Sequence, residues 1–230
     1  MIKAILMDFN GVIIDDEPIQ MKAYQDILAE QGVALTEEEY YSSLGMDDKT
    51  FVEAAFLRAG KQVSPERVRE ITRAKSRRGA EMVEEKLPLF DGIRNFVEKM
   101  SHEFAVGLVS MSNREDIEHV LDRAALRPFF EVIVSAEDVS ICKPDPECYR
   151  TGFKLIDSVR TAGGHLPITH GECLVIEDSP PGIAAAKEAD LRTLGVTNTV
   201  SAGELRSAGA EYVASNLDDW MPDTIRRVFA

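Results

Sequence analysis

Ile5-Leu6-Met7-Asp8-Phe9-Asn10-Gly11-Val12, with Asp15 three residues further on, is the stretch that decides the fold of this chain. An apolar run that ends in a carboxylate and turns at once through glycine has the pattern of a buried parallel strand. Open α/β sheets carry their sites at the C-terminal ends of such strands. Asp8 is therefore a candidate nucleophile or metal ligand. Asn10 fits less easily, because a carboxyl group there could exchange protons and an amide cannot.

Outward from that strand, placed at residues 2 to 8, further apolar β-like runs occur at Phe104 to Val109, Phe130 to Ser135, Leu174 to Glu177 and Leu191 to Val196. Helical patterns separate them, which makes the later part of the chain a βαβα series. Ser112 with Glu115 has the spacing of a capping box ahead of Ile117, Val120 and Leu121. Pro144 or Pro146 can open the helix that contains Tyr149 and Phe153. Pro181 and Gly182 precede an alanine-rich helix from Ile183 to Ala189. A short helix near Glu204 to Ser207, an edge strand at Glu211 to Ala214 and a helix near Pro222 to Phe229 are expected to complete the chain.

Between the first strand and the next there is no convincing strand pattern, only helical stripes through Ile19, Ala23, Ile27 and Leu28, through Phe51, Ala55 and Phe56, and through Val68, Ile71 and Met82. Thr36 with Glu39, and Ser64 ahead of Pro65, mark helix starts. The expected organisation is a core built from residues 1–15 and 88–230, with residues 16–87 inserted as a helical domain. Asp16 and the segment Leu87 to Gly92 would form a paired hinge.

Composition narrows the partners. The chain has 230 residues, 40 Asp and Glu against 26 Lys and Arg, and a formal charge of −14. That balance disfavours nucleic acid and anionic membranes, so a phosphorylated ligand would need a local positive site. No apolar run approaches the roughly 18 residues of a membrane span, and the N-terminus lacks a signal-peptide pattern. Cys142, Cys148 and Cys173 follow neither a CxxC spacing nor a disulfide framework, and are expected to be core thiols in a reducing cytoplasm. His102, His119, His165 and His170 are too scattered for a zinc spacing. The expected state is a cytoplasmic monomer or weak homo-oligomer.

Asp8, Ser110, Lys143 and Glu177-Asp178 all fall at or just beyond the ends of expected parallel strands, so residues more than a hundred positions apart converge on one sheet edge. Together they form a phosphate site. Mg²⁺ prefers hard oxygen ligands, which Asp8 and Asp178 supply, with Glu177 as a further ligand or water-holder and a main-chain carbonyl near Asn10. Lys143 offsets negative charge. The Ser110 hydroxyl and the neighbouring backbone donors of Met111 and Ser112 suit nonbridging phosphate oxygens. An aspartate neutralised in this way can attack phosphorus in line.

These residues resemble the haloacid dehalogenase-like superfamily, in the branch with a helical cap that includes β-phosphoglucomutase and phosphoglycolate phosphatase-like enzymes. Asp8-Phe9-Asn10-Gly11-Val12 resembles its first motif, and Gly107-Leu108-Val109-Ser110-Met111-Ser112-Asn113 the second. Cys142-Lys143-Pro144-Asp145-Pro146 resembles the third, and Val175-Ile176-Glu177-Asp178-Ser179-Pro180-Pro181-Gly182 the acidic fourth. The resemblance implies an α/β, Rossmann-like core with a mostly parallel sheet and an inserted helical cap. It also implies Asp8 as nucleophile and Mg²⁺ ligand and the Asn10 carbonyl as a metal ligand. Ser110 and Lys143 would bind phosphate, and Glu177 and Asp178 would form the acidic metal shell.

Asn10 departs from the family's Asp-x-Asp, whose second aspartate protonates the leaving oxygen and then activates the attacking one. Proton transfer of that kind contributes about 10²- to 10⁴-fold. Four explanations follow: a substrate with a good leaving group and slow acyl-phosphate hydrolysis, an acid supplied by the cap, ligand binding with little turnover, or a deliberate substitution of aspartate by asparagine. Haloacid dehalogenases also lack this aspartate but work without a metal, which Glu177-Asp178 argues against. Phosphonoacetaldehyde hydrolase-like enzymes use a cap lysine as a Schiff base. Lys49 lies in the comparable region, but its surroundings match poorly.

The Gly45 to Lys49 turn is the expected substrate loop, and Arg73, Lys75, Arg77 and Arg78 are expected to face solvent or pair with glutamates. The sequence points to a Mg²⁺-dependent phosphatase of a small phosphorylated metabolite. A sugar phosphomutase, or a phosphate-ligand binding protein weakened at Asn10, stand as alternatives.

Overall fold

Ala4–Met7 (β1) is apolar and buried at every position, as expected of a strand covered on both faces. In the computed structural model, which describes residues 1–43, 46, 48–85 and 87–230, β1 lies at the centre of a six-stranded sheet. The other strands are β2 (Ala105–Val109), β3 (Val132–Val134), β4 (Cys173–Glu177), β5 (Arg192–Val196) and β6 (Tyr212–Ala214). Their order is β3-β2-β1-β4-β5-β6, and every pairing is parallel.

This order reverses direction between β1 and β4, the switch point at which doubly wound sheets open a crevice. The register fixes what meets there. Met7 lies opposite both Leu108 and Ile176, so the residues beyond those positions emerge side by side.

One face of the sheet carries Leu6, Val109, Val134 and Val175. It is covered by Tyr149 and Ile156 of α7 (Glu147–Ala162) and by Ala185 and Ala186 of α8 (Pro180–Glu188). The small alanine side chains let α8 lie close to the strands. The helix α5 (Ile93–Ser101) also packs on β2, burying Ile93, Phe96, Val97 and Met100.

Packing divides the chain into two units, Met1–Asp15 with Leu89–Ala230, and Asp16–Pro88. The second is helical among its described residues: α1 (Glu17–Ala29), α2 (Glu37–Tyr41), α3 (Asp48–Arg58) and α4 (Pro65–Glu85). It has a core of its own around Tyr24, Leu28, Tyr40, Phe51, Phe56 and Ile71. The Thr36 hydroxyl accepts from the Glu39 N–H while the Glu39 carboxylate accepts from the Thr36 N–H, the reciprocal cap that the spacing predicts. No helix among the described residues is long and apolar enough to cross a membrane.

Several expectations change. Ser112 does not cap the helix after β2. That helix, α6 (Arg114–Arg123), has Asn113 at its N-cap position without a side-chain bond to the helix backbone, and the Arg114 N–H reaches the Glu137 carboxylate instead. Cys142 is exposed, while Cys148 and Cys173 are buried. Lys75 does not face solvent: its side chain is 11% exposed, lies over the Tyr24 ring and pairs with Asp48 at 3.5 Å. Gly45 and Asp47 of the expected substrate loop lie outside the described residues, and Lys49 lies exposed in α3.

Candidate active site

Asp8 leaves β1 with its N–H bonded to the Ile176 carbonyl of β4 at 3.0 Å, which sets its side chain beside the end of that strand. The chain then doubles back. Gly11 adopts φ +72° and donates to the Ile14 carbonyl at 2.8 Å, a conformation that favours glycine. A Cβ there would also fall on the Asp178 carboxylate.

Lys143 reaches this edge from the segment between β3 and α7. Its Nζ lies 2.9 Å from Asp8 Oδ1 and 2.7 Å from Glu177 Oε1, with the Val109 carbonyl at 3.4 Å. The Glu177 side chain is fully buried, and both of its oxygens accept hydrogen bonds. Oε1 also accepts from the Tyr149 hydroxyl at 2.7 Å, and Oε2 accepts from the N–H groups of Asp178 and Ser179 and from the Ser179 hydroxyl. Glu177 thus ties Lys143 to the start of α8.

Three buried carboxylates face one buried ammonium, and that imbalance governs the electrostatics. Burial and then the charge of Glu177 push the Asp8 carboxyl up to about 7, against the opposing pull of Lys143. Burial, Glu177 and Asp8 raise Asp178 well above the carboxylate range. Burial also works against ionised Glu177, but the charge of Lys143 and the bonds from Lys143, Tyr149 and Ser179 outweigh it and hold Glu177 low. Burial pulls Lys143 down, and the charges of Asp8 and Glu177 more than restore it, so it stays cationic.

A cation would complete this balance. Asp8, Glu177 and Asp178 each offer a carboxylate oxygen, and these atoms lie within 4.8 Å of one another. An all-oxygen, anionic set of this kind suits a hard divalent ion such as Mg²⁺.

The other expected residues assemble around β2. The Ser112 hydroxyl donates to Asn10 Oδ1 at 2.8 Å and the Ser110 hydroxyl to the same atom at 3.3 Å, while Ser110 Oγ accepts from the Ser112 N–H at 3.0 Å. Met111 packs its side chain against the sheet core, leaving its backbone as its polar contribution.

Sequence reasoning missed Tyr149, Ser179, Asn198 and Thr199. The Asn198 amide donates to the Gly11 carbonyl at 2.8 Å, and the Thr199 hydroxyl donates to Asp178. Both follow β5 directly, so the same strand-end rule that found Ser110 could have found them. Tyr149 reads as one more apolar helix position, and only its buried hydroxyl sets it apart.

A family model, haloacid dehalogenase-like hydrolase, matches residues 5–196. The chain belongs to the haloacid dehalogenase-like hydrolases. The chain is 30% identical over 220 residues to hexitol phosphatase B of Escherichia coli strain K12, covering 95% of this chain and 94% of that one. It is 28% identical over 214 residues to a phosphorylated carbohydrates phosphatase of Thermotoga maritima, covering 90% and 92%. In fold it resembles β-phosphoglucomutase from Clostridium difficile, with a TM-score of 0.81 at 20% identity over 100% of this chain and 97% of that one. Within this haloacid dehalogenase-like hydrolase, Asn10 is held by two serine hydroxyls through an oxygen that cannot carry a proton.

Proposed function

We propose that this chain is a phosphatase of a small phosphorylated metabolite and that Asp8 is its nucleophile. The observation that carries this reading is the position of Lys143, held by Asp8 and Glu177 at the C-terminal edge of a parallel sheet beside a third buried carboxylate. Similarity to hexitol phosphatase B and to the phosphorylated carbohydrates phosphatase supports hydrolysis of a phosphate from a small metabolite.

Mg²⁺, held by Asp8, Asp178, Glu177 and the Asn10 carbonyl, would supply positive charge to the phosphoryl oxygens. Lys143 adds a second charge beside the attacking oxygen and favours the ionised form of Asp8, against the burial and the Glu177 charge that push it up. The Ser110 hydroxyl and the backbone N–H groups of Met111 and Ser112 would orient the nonbridging oxygens. Asp8 then attacks phosphorus in line as the bond from phosphorus to the substrate oxygen breaks, the electron pair leaves with that oxygen, and the phosphoryl group stays on the Asp8 carboxylate. Water releases it in a second step.

The helical unit Asp16–Pro88 takes the role of substrate-selecting cap in this reading, and the thiols of Cys142, Cys148 and Cys173, all free, fit a reducing cytoplasm.

Phosphate release from a panel of acyl, aryl, sugar and polyol phosphates with Mg²⁺, run beside Asp8→Asn, tests the proposal. Release that disappears in Asp8→Asn is expected. Equal release by both proteins would overturn the covalent route, and an isomerised sugar phosphate without net phosphate loss would assign a mutase instead.

A further inference from the structure

We infer that the site is built for phosphorylated substrates whose leaving oxygen is already acidic, such as acyl, enol or aryl phosphates, and not for esters of ordinary alcohols. This rests on the proposed role of Asp8 as nucleophile and concerns what happens on the opposite side of phosphorus.

When an Asp8 oxygen forms its bond to phosphorus, the bond from phosphorus to the substrate oxygen breaks and its electron pair leaves with that oxygen. An alkoxide is too basic to depart unaided, so an alcohol leaving group needs a proton in the transition state. A carboxylate, enolate or phenolate departs without one. The leaving-group chemistry therefore depends on whether the site holds a proton donor.

Within the α/β unit, apart from the carboxylates of Asp8, Glu177 and Asp178 that would hold Mg²⁺, the groups at the crevice offer none. Asn10 stands in the turn beyond Asp8, with its amide oxygen accepting from the hydroxyls of Ser112 and Ser110, and an amide does not release a proton at neutral pH. Those serine hydroxyls and that of Thr199 are alcohols themselves, and Thr199 already donates to Asp178. Lys143 gives its hydrogens to Asp8 and Glu177, at 2.9 and 2.7 Å. The Tyr149 hydroxyl is wholly buried and bonded to Glu177. The histidines lie elsewhere: His102 ends α5, His119 is in α6, and His165 and His170 lie in the segment that leads into β4.

The same inventory bears on the second step. Water must lose a proton as its oxygen bonds to phosphorus and the Asp8–phosphorus bond breaks, and Asn10 cannot accept that proton. It passes to solvent or to a phosphoryl oxygen, which makes release of phosphate slower than its capture. With an acidic leaving group the chain should then give a burst of about one leaving group per chain, followed by slow turnover.

Rapid mixing of the full chain and Mg²⁺ with acetyl phosphate or glycerol phosphate, each carrying radiolabelled phosphate, measures the rate at which label appears on the protein. The expected result is labelling by acetyl phosphate at least about 10²-fold faster than by glycerol phosphate, with a burst near one per chain. Asn10→Asp should raise the glycerol phosphate rate about 10²- to 10⁴-fold and the acetyl phosphate rate less than about tenfold. Labelling by glycerol phosphate within tenfold of acetyl phosphate, with Asn10 intact and Asp8→Asn silent, would overturn the inference and leave the nucleophile standing. Equal labelling of Asp8→Asn would remove both, and labelling by neither substrate would overturn the inference in favour of a binding protein.

Discussion

Gly182 has no Cβ, and the place a Cβ would take is filled by the carboxylate of Glu177. This contact lets the first turn of α8 close over a fully buried acid that receives hydrogen bonds from Lys143, Tyr149 and Ser179. Gly182→Ala must push Glu177 aside, and overpacking of this kind costs about 1–3 kcal/mol. Urea unfolding should register that loss together with reduced turnover. A variant as stable and as active as the parent would mean that the carboxylate moves freely.

Lys143→Met removes the cation bonded to both Asp8 and Glu177. Breaking a buried pair by removing one partner costs about 3–5 kcal/mol, because the remaining charge stays buried. The variant should lose turnover and unfold at a lower temperature at pH 8, and it should regain part of that loss on adding Mg²⁺ or on lowering the pH. Melting temperatures with and without the metal check this, and a loss indifferent to both treatments would contradict the charge argument.

The raised Asp8 carboxyl gives a pH signature with a definite sign. Its pKa moves from an ordinary 3.8 to about 7 in the metal-free fold. Between those values the folded state holds more protons than the unfolded state, so this group's contribution to stability declines as pH rises and levels off above about 7. Mg²⁺ binding must displace that proton below pH 7. Its affinity should therefore fall from pH 8 to pH 6, with proton uptake by the buffer detectable calorimetrically. An affinity constant over that range would show Asp8 already ionised.

Thr199→Val deletes the hydroxyl that donates to the buried Asp178 carboxylate. Leaving such an acceptor without its donor costs about 1–3 kcal/mol. The metal-free protein should lose stability by that amount, Mg²⁺ affinity should change with it, and Thr199→Ser should retain both. If serine fails as badly as valine, packing of the threonine methyl carries the effect.

The strands β1, β2 and β4 are legible in the sequence because strands buried on both faces read as apolar runs, while β5 carries Arg192 and Thr193 and is legible through Leu191, Leu194 and Val196. The run at Phe130 to Ser135 yields a strand only at Val132–Val134, because the Ser135 N–H bonds to the Asp138 carboxylate and leaves the ladder. The carboxylates and Lys143 are legible through their position after strands. Ser112 is a different case: its spacing to Glu115 fits a helix cap equally well, and only the fold brings Asn10 within 2.8 Å of its hydroxyl. Tyr149, Asn198 and Thr199 escape notice because helix faces and loops carry such residues for many reasons.

The central place of β1 has a consequence for biogenesis. Asp8 precedes Lys143 by 135 residues, and the β4 partner strand comes later still. The helical unit, contiguous in sequence from Asp16 to Pro88, has its own contacts available long before that. The β4 edge of β1 therefore stays unpaired until that later strand is made, and long-range pairing of this sort is slow and exposed to aggregation. Nascent chains arrested before Glu177 should bind chaperones that the released protein no longer needs.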